Sequence, residues 1–106
     1  MPGNKKTEAL MKTFTKEKVA VIHSAFEDAP TTVAFVEVDK TLTDMNKCEV
    51  AFKLTNNIED AWWKNEEVTP MFDGKTCRST SVGDMVLVGK TKYKFLGTET
   101  VVWEKV

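Results

Sequence analysis

Residues 18–38 decide the fold, and they read KVAVIHSAFEDAPTTVAFVEV. Lys18–Phe26 and Thr32–Val38 are rich in apolar and β-branched residues, which is typical of strands. The acidic pair and the proline between them indicate a turn. Because the connection is short, the two strands are predicted to pair as an antiparallel hairpin. Both strands carry apolar residues on each face for part of their length, so we expect the hairpin to lie at the centre of a sheet.

Helices are predicted on both sides of the hairpin. Lys5–Phe14 precedes it and has a partial apolar stripe that favours a short helix. Thr41–Asn65 follows it, with apolar residues at helical spacing and either Thr41 or Thr43 as the N-cap. Two asparagines interrupt this second pattern, so it predicts either one kinked helix or two helices, the second covering Ile58–Lys64.

The last part of the chain returns to β structure. Glu66–Thr76 is predicted to be a loop because it contains a proline and an Asp-Gly pair. Three strand candidates follow, separated by glycine-containing turns, and they predict an antiparallel meander: Met85–Val88, Tyr93–Leu96 and Thr100–Val106. The expected fold is therefore a single α+β domain over residues 1–106, with residues 1–6 frayed.

The composition argues against several classes of function. The 106 residues have a net charge of −1 and a single Arg among 15 basic residues, so no overall field attracts nucleic acid or a membrane surface. No apolar run approaches the length of a membrane span and no signal peptide is visible, which indicates a soluble protein of the cytoplasm. Cys48 and Cys77 lack the spacing of a zinc site, so we expect free thiols, no metal and no cofactor.

The most distinctive polar stretch is RSTSVGD, residues 78–84. One interpretation is a structural turn, in which Gly83 takes a positive φ and Asp84 binds nearby backbone amides. A second interpretation is a partner-binding patch for a carboxylate or phosphate, formed by Arg78, Ser79, Thr80, Ser81 and Asp84. A catalytic serine is the third interpretation, but no GxSxG elbow surrounds it and His23 would have to act as the base.

Trp62 and Trp63 are further partner-binding candidates. Adjacent residues on a helix point about 100° apart, so the two rings cannot face the same core surface. We expect one tryptophan to anchor the core and the other to be at least partly exposed, where aromatic residues often serve as interface anchors. The neighbouring acids Glu59 and Asp60 do not converge on such a helix, and they are interpreted as a solvated face rather than an acid–base site.

An alternative function follows from the penultimate strand. Lys92, Tyr93, Lys94 and Phe95 alternate basic and aromatic side chains, a pattern that can stack single-stranded nucleic acid. Together with the basic N-terminus, this strand indicates a nucleic-acid-binding module with an SH3-like or PUA-like C-terminal sheet. The scarcity of Arg argues against sequence-specific recognition of DNA.

Two blocks of the sequence carry a resemblance when they are taken together. AFKLTNNIEDAWWKN (residues 51–65) and RSTSVGD (residues 78–84) resemble small uncharacterised proteins encoded by tailed phages, including cyanophages. Those proteins have a Thr-x-Asn-Ile stretch and a following Trp, then an Arg-Ser-x-Ser-Val-Gly-Asp motif and a short β ending. The resemblance covers Phe52–Val106. The family's Gly-aromatic pair near the end is not reproduced, because Gly97 is followed by Thr98.

The resemblance implies an origin and a compartment, the cytoplasm of an infected host cell, rather than a mechanism. The sequence as a whole predicts an accessory protein, without catalysis, that binds a host or phage protein partner. Nucleic-acid binding is the alternative. The partner-binding candidates are the polar residues of RSTSVGD and the two tryptophans, and the nucleic-acid-binding candidates are the lysines and aromatic residues of 92–95.

Overall fold

A six-stranded antiparallel sheet forms the body of the protein. The computed structural model describes residues 15–58 and 60–106. The strands are β1 (Lys16–His23), β2 (Thr31–Asp39), β3 (Val68–Pro70), β4 (Met85–Val88), β5 (Thr91–Phe95) and β6 (Trp103–Lys105). They lie in the order β3-β2-β1-β4-β5-β6. One α-helix, α1 (Asp44–Leu54), and a 3-10 turn (Trp62–Lys64) connect β2 to β3.

The predicted hairpin is confirmed as the centre of this sheet. β1 and β2 pair antiparallel over their whole lengths, with Val19 opposite Val36, and a register irregularity falls between Val21 and Ile22. β1 also pairs with β4, and β2 with β3, so each strand of the hairpin has a neighbour on both sides. The apolar content on both faces of these strands reflects that central position.

One prediction about the other strands needs correction. Glu66–Thr76, expected to be a loop, contains the edge strand β3, which pairs with β2. An edge strand accommodates Pro70 because one side of its backbone needs no partner. The three C-terminal strands pair antiparallel in chain order, β4 with β5 and β5 with β6. They belong to the same sheet as the hairpin, because β4 also pairs with β1. The predicted helix Lys5–Phe14 lies outside the described residues.

Helix α1 begins where the cap pattern predicts. The side chain of Thr43 accepts a hydrogen bond from the Asn46 amide at 3.2 Å, whereas Thr41 bonds to Asp39 instead. The helix ends at Leu54, and a 3-10 turn follows later, so residues 41–65 form two separate segments rather than one kinked helix. No helix among the described residues is long and apolar enough to cross a membrane.

The core lies between α1 and one face of the sheet. Cys48 and Ala51 of the helix are fully buried against the valines of the central strands. Met45, which the periodicity places on the same apolar face, is exposed. Ala20 and Ile22 of β1 alternate with the core valines and are also buried, but they lie outside the core cluster.

Gly83 combines a positive φ with a close contact to a neighbouring loop. Its φ is +98°, and a Cβ built on it would lie 3.1 Å from the Cβ of Ala25. We expect Gly83→Ala to lower the free energy of unfolding by about 1–3 kcal/mol, from backbone strain and this contact together. Gly74 is the matched control, because its φ is +90° and no atom lies within 4 Å of the position of a Cβ. Chemical denaturation of both variants measures the difference, and an equal effect would contradict the contact with Ala25.

Candidate functional site

Arg78 is the hub of a charged cluster at one end of the sheet. It makes two bonds to Glu27, from Nη2 at 2.7 Å and from Nε at 3.1 Å. It makes two more to Asp84, from Nη1 at 2.7 Å and from Nη2 at 2.8 Å. Nη1 also donates to the carbonyl of Ser79 at 2.9 Å. A guanidinium has five N–H donors, so these five bonds occupy all of them.

Asp84 is the fully buried carboxylate among the partners of Arg78. Besides Arg78, its carboxylate accepts hydrogen bonds from the backbone amides of Ser24 at 2.9 Å, Ala25 at 3.0 Å and Ser81 at 2.7 Å. One carboxylate thus holds the β1–β2 loop and the loop before β4 together. The sequence interpretation that Asp84 binds nearby amides is correct for Ser81, and the structure adds two amides that are distant in sequence.

The electrostatics of the cluster favour its charged state. Burial alone would raise the pKa of Asp84, but the bonds from Arg78 and from the backbone amides outweigh burial and lower the pKa to about 2. The bond to Arg78 also lowers the pKa of Glu27. The two carboxylates raise the pKa of Arg78 above its ordinary value. All three groups therefore stay ionised across the physiological pH range.

The cluster fixes the residues on either side of an exposed aromatic ring. Phe26 lies between Ala25, whose amide binds Asp84, and Glu27, whose carboxylate binds Arg78. The Phe26 side chain is nevertheless 77% exposed. The guanidinium carbon of Arg78 lies 4.9 Å from the centre of the Phe26 ring, within the range of a cation–π contact. We call Glu27, Arg78 and Asp84 the clamp.

The hydroxyls of RSTSVGD are also bonded within the domain. Thr80 is buried, and its hydroxyl contacts both His23 and Thr55. Ser79 accepts a bond from the amide of Asn57 at 2.9 Å, and Ser81 donates to the Ser79 carbonyl at 3.2 Å. The structure therefore gathers the residues of the predicted patch, but it uses their polar atoms for internal bonds.

The two tryptophans divide as expected. Trp62 is fully buried, and its indole N–H donates to the carbonyl of Arg78 at 3.0 Å. Trp63 is partly exposed and meets Trp62 edge to face, with ring centres 5.5 Å apart. Phe72 packs against both rings. Trp62 thus supports the clamp from the core side, and only Trp63 offers any surface.

The aromatic and basic residues of β5 lie on opposite faces of the sheet. Tyr93 is buried and its hydroxyl donates to Asp44 at 2.7 Å, while Phe95 packs against Trp103 at 5.0 Å between ring centres. Lys92 and Lys94 alternate with them and are exposed. No described part of β5 therefore presents a ring beside a lysine, as stacking of a nucleic acid on this strand requires.

Sequence reasoning missed Phe26 and Glu27. Phe26 is the last residue of the first predicted strand, but β1 ends at His23 and Phe26 lies in the loop that follows. Glu27 falls where the acidic pair and the proline indicate an ordinary turn. Glu27 and Arg78 are 51 residues apart, and nothing in the local pattern links them. A weak signal existed, because Phe26 is a large apolar residue placed directly before two acids at a turn.

Comparisons with protein-family models, with curated proteins and with solved structures find no match. The resemblance to tailed-phage proteins therefore stays a prediction. Among the described residues, no group of three or more His, Cys, Asp or Glu side chains is arranged to hold a metal ion.

The clamp gives a stability test for Arg78. Arg78→Ala leaves the buried carboxylate of Asp84 without its cation, so we expect a loss of about 3 kcal/mol in the free energy of unfolding. Lys64→Ala is the control, because it breaks an ion pair with Asp60 in which both side chains are exposed. That change is expected to cost at most about 0.5 kcal/mol. Urea denaturation of both variants measures the contrast, and a near-neutral Arg78→Ala would mean that the clamp does not hold the fold.

Proposed function

We propose that this domain binds a protein partner through Phe26, with the clamp as the rigid support of that ring. The observation that carries the proposal is the combination of a largely exposed aromatic side chain with fixed flanking residues. The proposal includes the setting that the resemblance implies, in which the partner is a host or phage protein in the infected cell. It assigns the domain no reaction of its own.

Exposure of a large aromatic ring is informative because it leaves apolar surface in water. Interface hot spots are enriched in large side chains that enter a pocket on the partner. Binding is weakened when such a side chain or its loop must be ordered first. Here the clamp bonds both neighbours of Phe26, so much of that ordering precedes binding.

The surroundings of Phe26 fit a small binding surface. Val82, on the loop before β4, is 57% exposed, and its neighbour Gly83 lies against Ala25. Asp28 is exposed beside Glu27. A partner with an apolar pocket would match the exposed side chains of Phe26 and Val82, and a basic rim on that partner would match Asp28.

The role of Arg78 in this proposal differs from the one predicted from the sequence. Its N–H donors are all bonded internally, so it has none left for a carboxylate or phosphate of a partner. Arg78 supports the proposal as a positioning residue, through the bonds to Glu27 and the contact with the Phe26 ring. Trp63 remains a secondary candidate because part of its surface is exposed.

The test places a photoactivatable phenylalanine analogue at position 26 and, as a control, at position 58. Ile58 is a suitable control because its side chain is 79% exposed, close to the exposure of Phe26. In infected host cells, we expect a discrete protein adduct from position 26 and none of that mass from position 58. No adduct from position 26, or the same adducts from both positions, would contradict the proposal.

Competition then measures the contribution of the ring. An unlabelled variant is added to compete with the labelled chain for the partner. Phe26→Ser should need a concentration at least about 30-fold higher than the unmodified chain to suppress the adduct, because losing a hot spot costs about 2 kcal/mol of binding free energy. Ile58→Ser should compete normally. Both variants should keep the melting temperature, because exposed side chains contribute little to stability. Equal competition by the two variants would exclude Phe26 as the anchor.

A further inference from the structure

A chain of hydrogen bonds fixes which nitrogen of His23 carries the proton. The carbonyl of Ala51 can only accept, so the hydroxyl of Thr55 donates to it at 2.7 Å. Thr55 has then used its proton and accepts from the hydroxyl of Thr80, also at 2.7 Å. Thr80 in turn accepts from Nε2 of His23 at 3.0 Å. Neutral His23 therefore carries its proton on Nε2 and leaves Nδ1 as an acceptor.

That acceptor nitrogen faces a thiol. The Sγ atom of Cys77 lies 3.8 Å from Nδ1, a distance at which a thiol can donate a weak hydrogen bond. The His23 ring is fully buried, whereas Cys77 is partly exposed. The arrangement thus places a buried base, held in one tautomer, behind a cysteine that is partly exposed.

We propose that Cys77 is a covalent modification site for small disulfides, with His23 as the base that takes the thiol proton. The sulfur of Cys77 attacks one sulfur of the disulfide, and its proton passes to Nδ1 of His23. The S–S bond of the reagent breaks as a new S–S bond forms. The leaving thiolate then takes the proton from His23, so the products are a mixed disulfide and one small thiol, without any other oxidant.

Burial makes the pair of His23 and Cys77 neutral at rest. Burial lowers the pKa of His23, and Arg78 acts in the same direction, while Asp84 and Glu27 oppose them. Burial also raises the pKa of the Cys77 thiol, with Arg78 lowering it and the two carboxylates raising it. Proton transfer to His23 therefore accompanies the attack, as in general base catalysis, rather than preceding it as a stable ion pair.

The chain contains its own reference thiol. Cys48 is fully buried in α1, and burial raises its pKa to about 12. No histidine contact accompanies it among the described residues, where His23 is paired with Cys77. The two cysteines thus differ in access and in the presence of a base, and one labelling experiment compares them under identical conditions.

The experiment measures the reaction of the folded chain with 4,4′-dithiodipyridine between pH 5 and pH 9, with the labelled cysteine located by mass spectrometry. We expect Cys77 to be labelled and Cys48 to react only after denaturation. Because His23 is the base and burial lowers its pKa below the ordinary 6.5, the rate should level off once the imidazole is neutral and stay level above pH 6.5. A thiol without a base would instead react about tenfold faster for each pH unit, up to its own pKa.

The second measurement is the labelling rate of Cys77 in a variant without the histidine base. His23→Gln retains a donor toward Thr80 but removes the base, so the rate at pH 7 should fall about tenfold or more and regain the steep pH dependence. A rate in the unmodified chain that climbs steadily from pH 6 to pH 9 would overturn the proposal, as would labelling of Cys48 at the same rate as Cys77. The profile of the unmodified chain decides the question alone if the variant fails to fold.

Discussion

The ion pair between Arg78 and Asp84 is the interaction on which this end of the molecule depends. A fully buried carboxylate is costly unless every lone pair is used and a cation is near. Asp84 satisfies that requirement with the guanidinium and three backbone amides. Since those amides belong to the β1–β2 loop and to the loop before β4, the solvation requirement of one side chain fixes the relative positions of two loops.

The same constraint links the fold to the two proposals. On the outer side of the clamp, Glu27 extends the pair to the base of Phe26 and leaves the ring in solvent. On the inner side, Asp84 lies 3.9 Å from Nε2 of His23, whose other nitrogen faces Cys77. The proposed binding surface and the proposed thiol site thus lie on two sides of one network, and changes in either are expected to act on the other through Arg78.

The sequence was informative wherever the physical cause is local. The richness of residues 18–38 in apolar and β-branched residues predicted β1 and β2, and the hydroxyl of Thr43 predicted the start of α1. β3 was missed because three residues ending in a proline lack a strand pattern of their own and depend on pairing with β2. RSTSVGD was recognised as special, but its role rests on Glu27, 51 residues away from Arg78, and on burial, neither of which local patterns contain.

The central claim is that Asp84 holds both loops through their backbone amides, and native-state hydrogen exchange tests it most directly. The amides of Ser24, Ala25 and Ser81 should exchange at least about 100-fold more slowly than in an unstructured chain. In Asp84→Ala all three should lose that protection, while the amide of Glu37, bonded to Glu67 at 2.9 Å, keeps its own. Fast exchange of the three amides in the unmodified chain, or unchanged protection in the variant, would contradict the account.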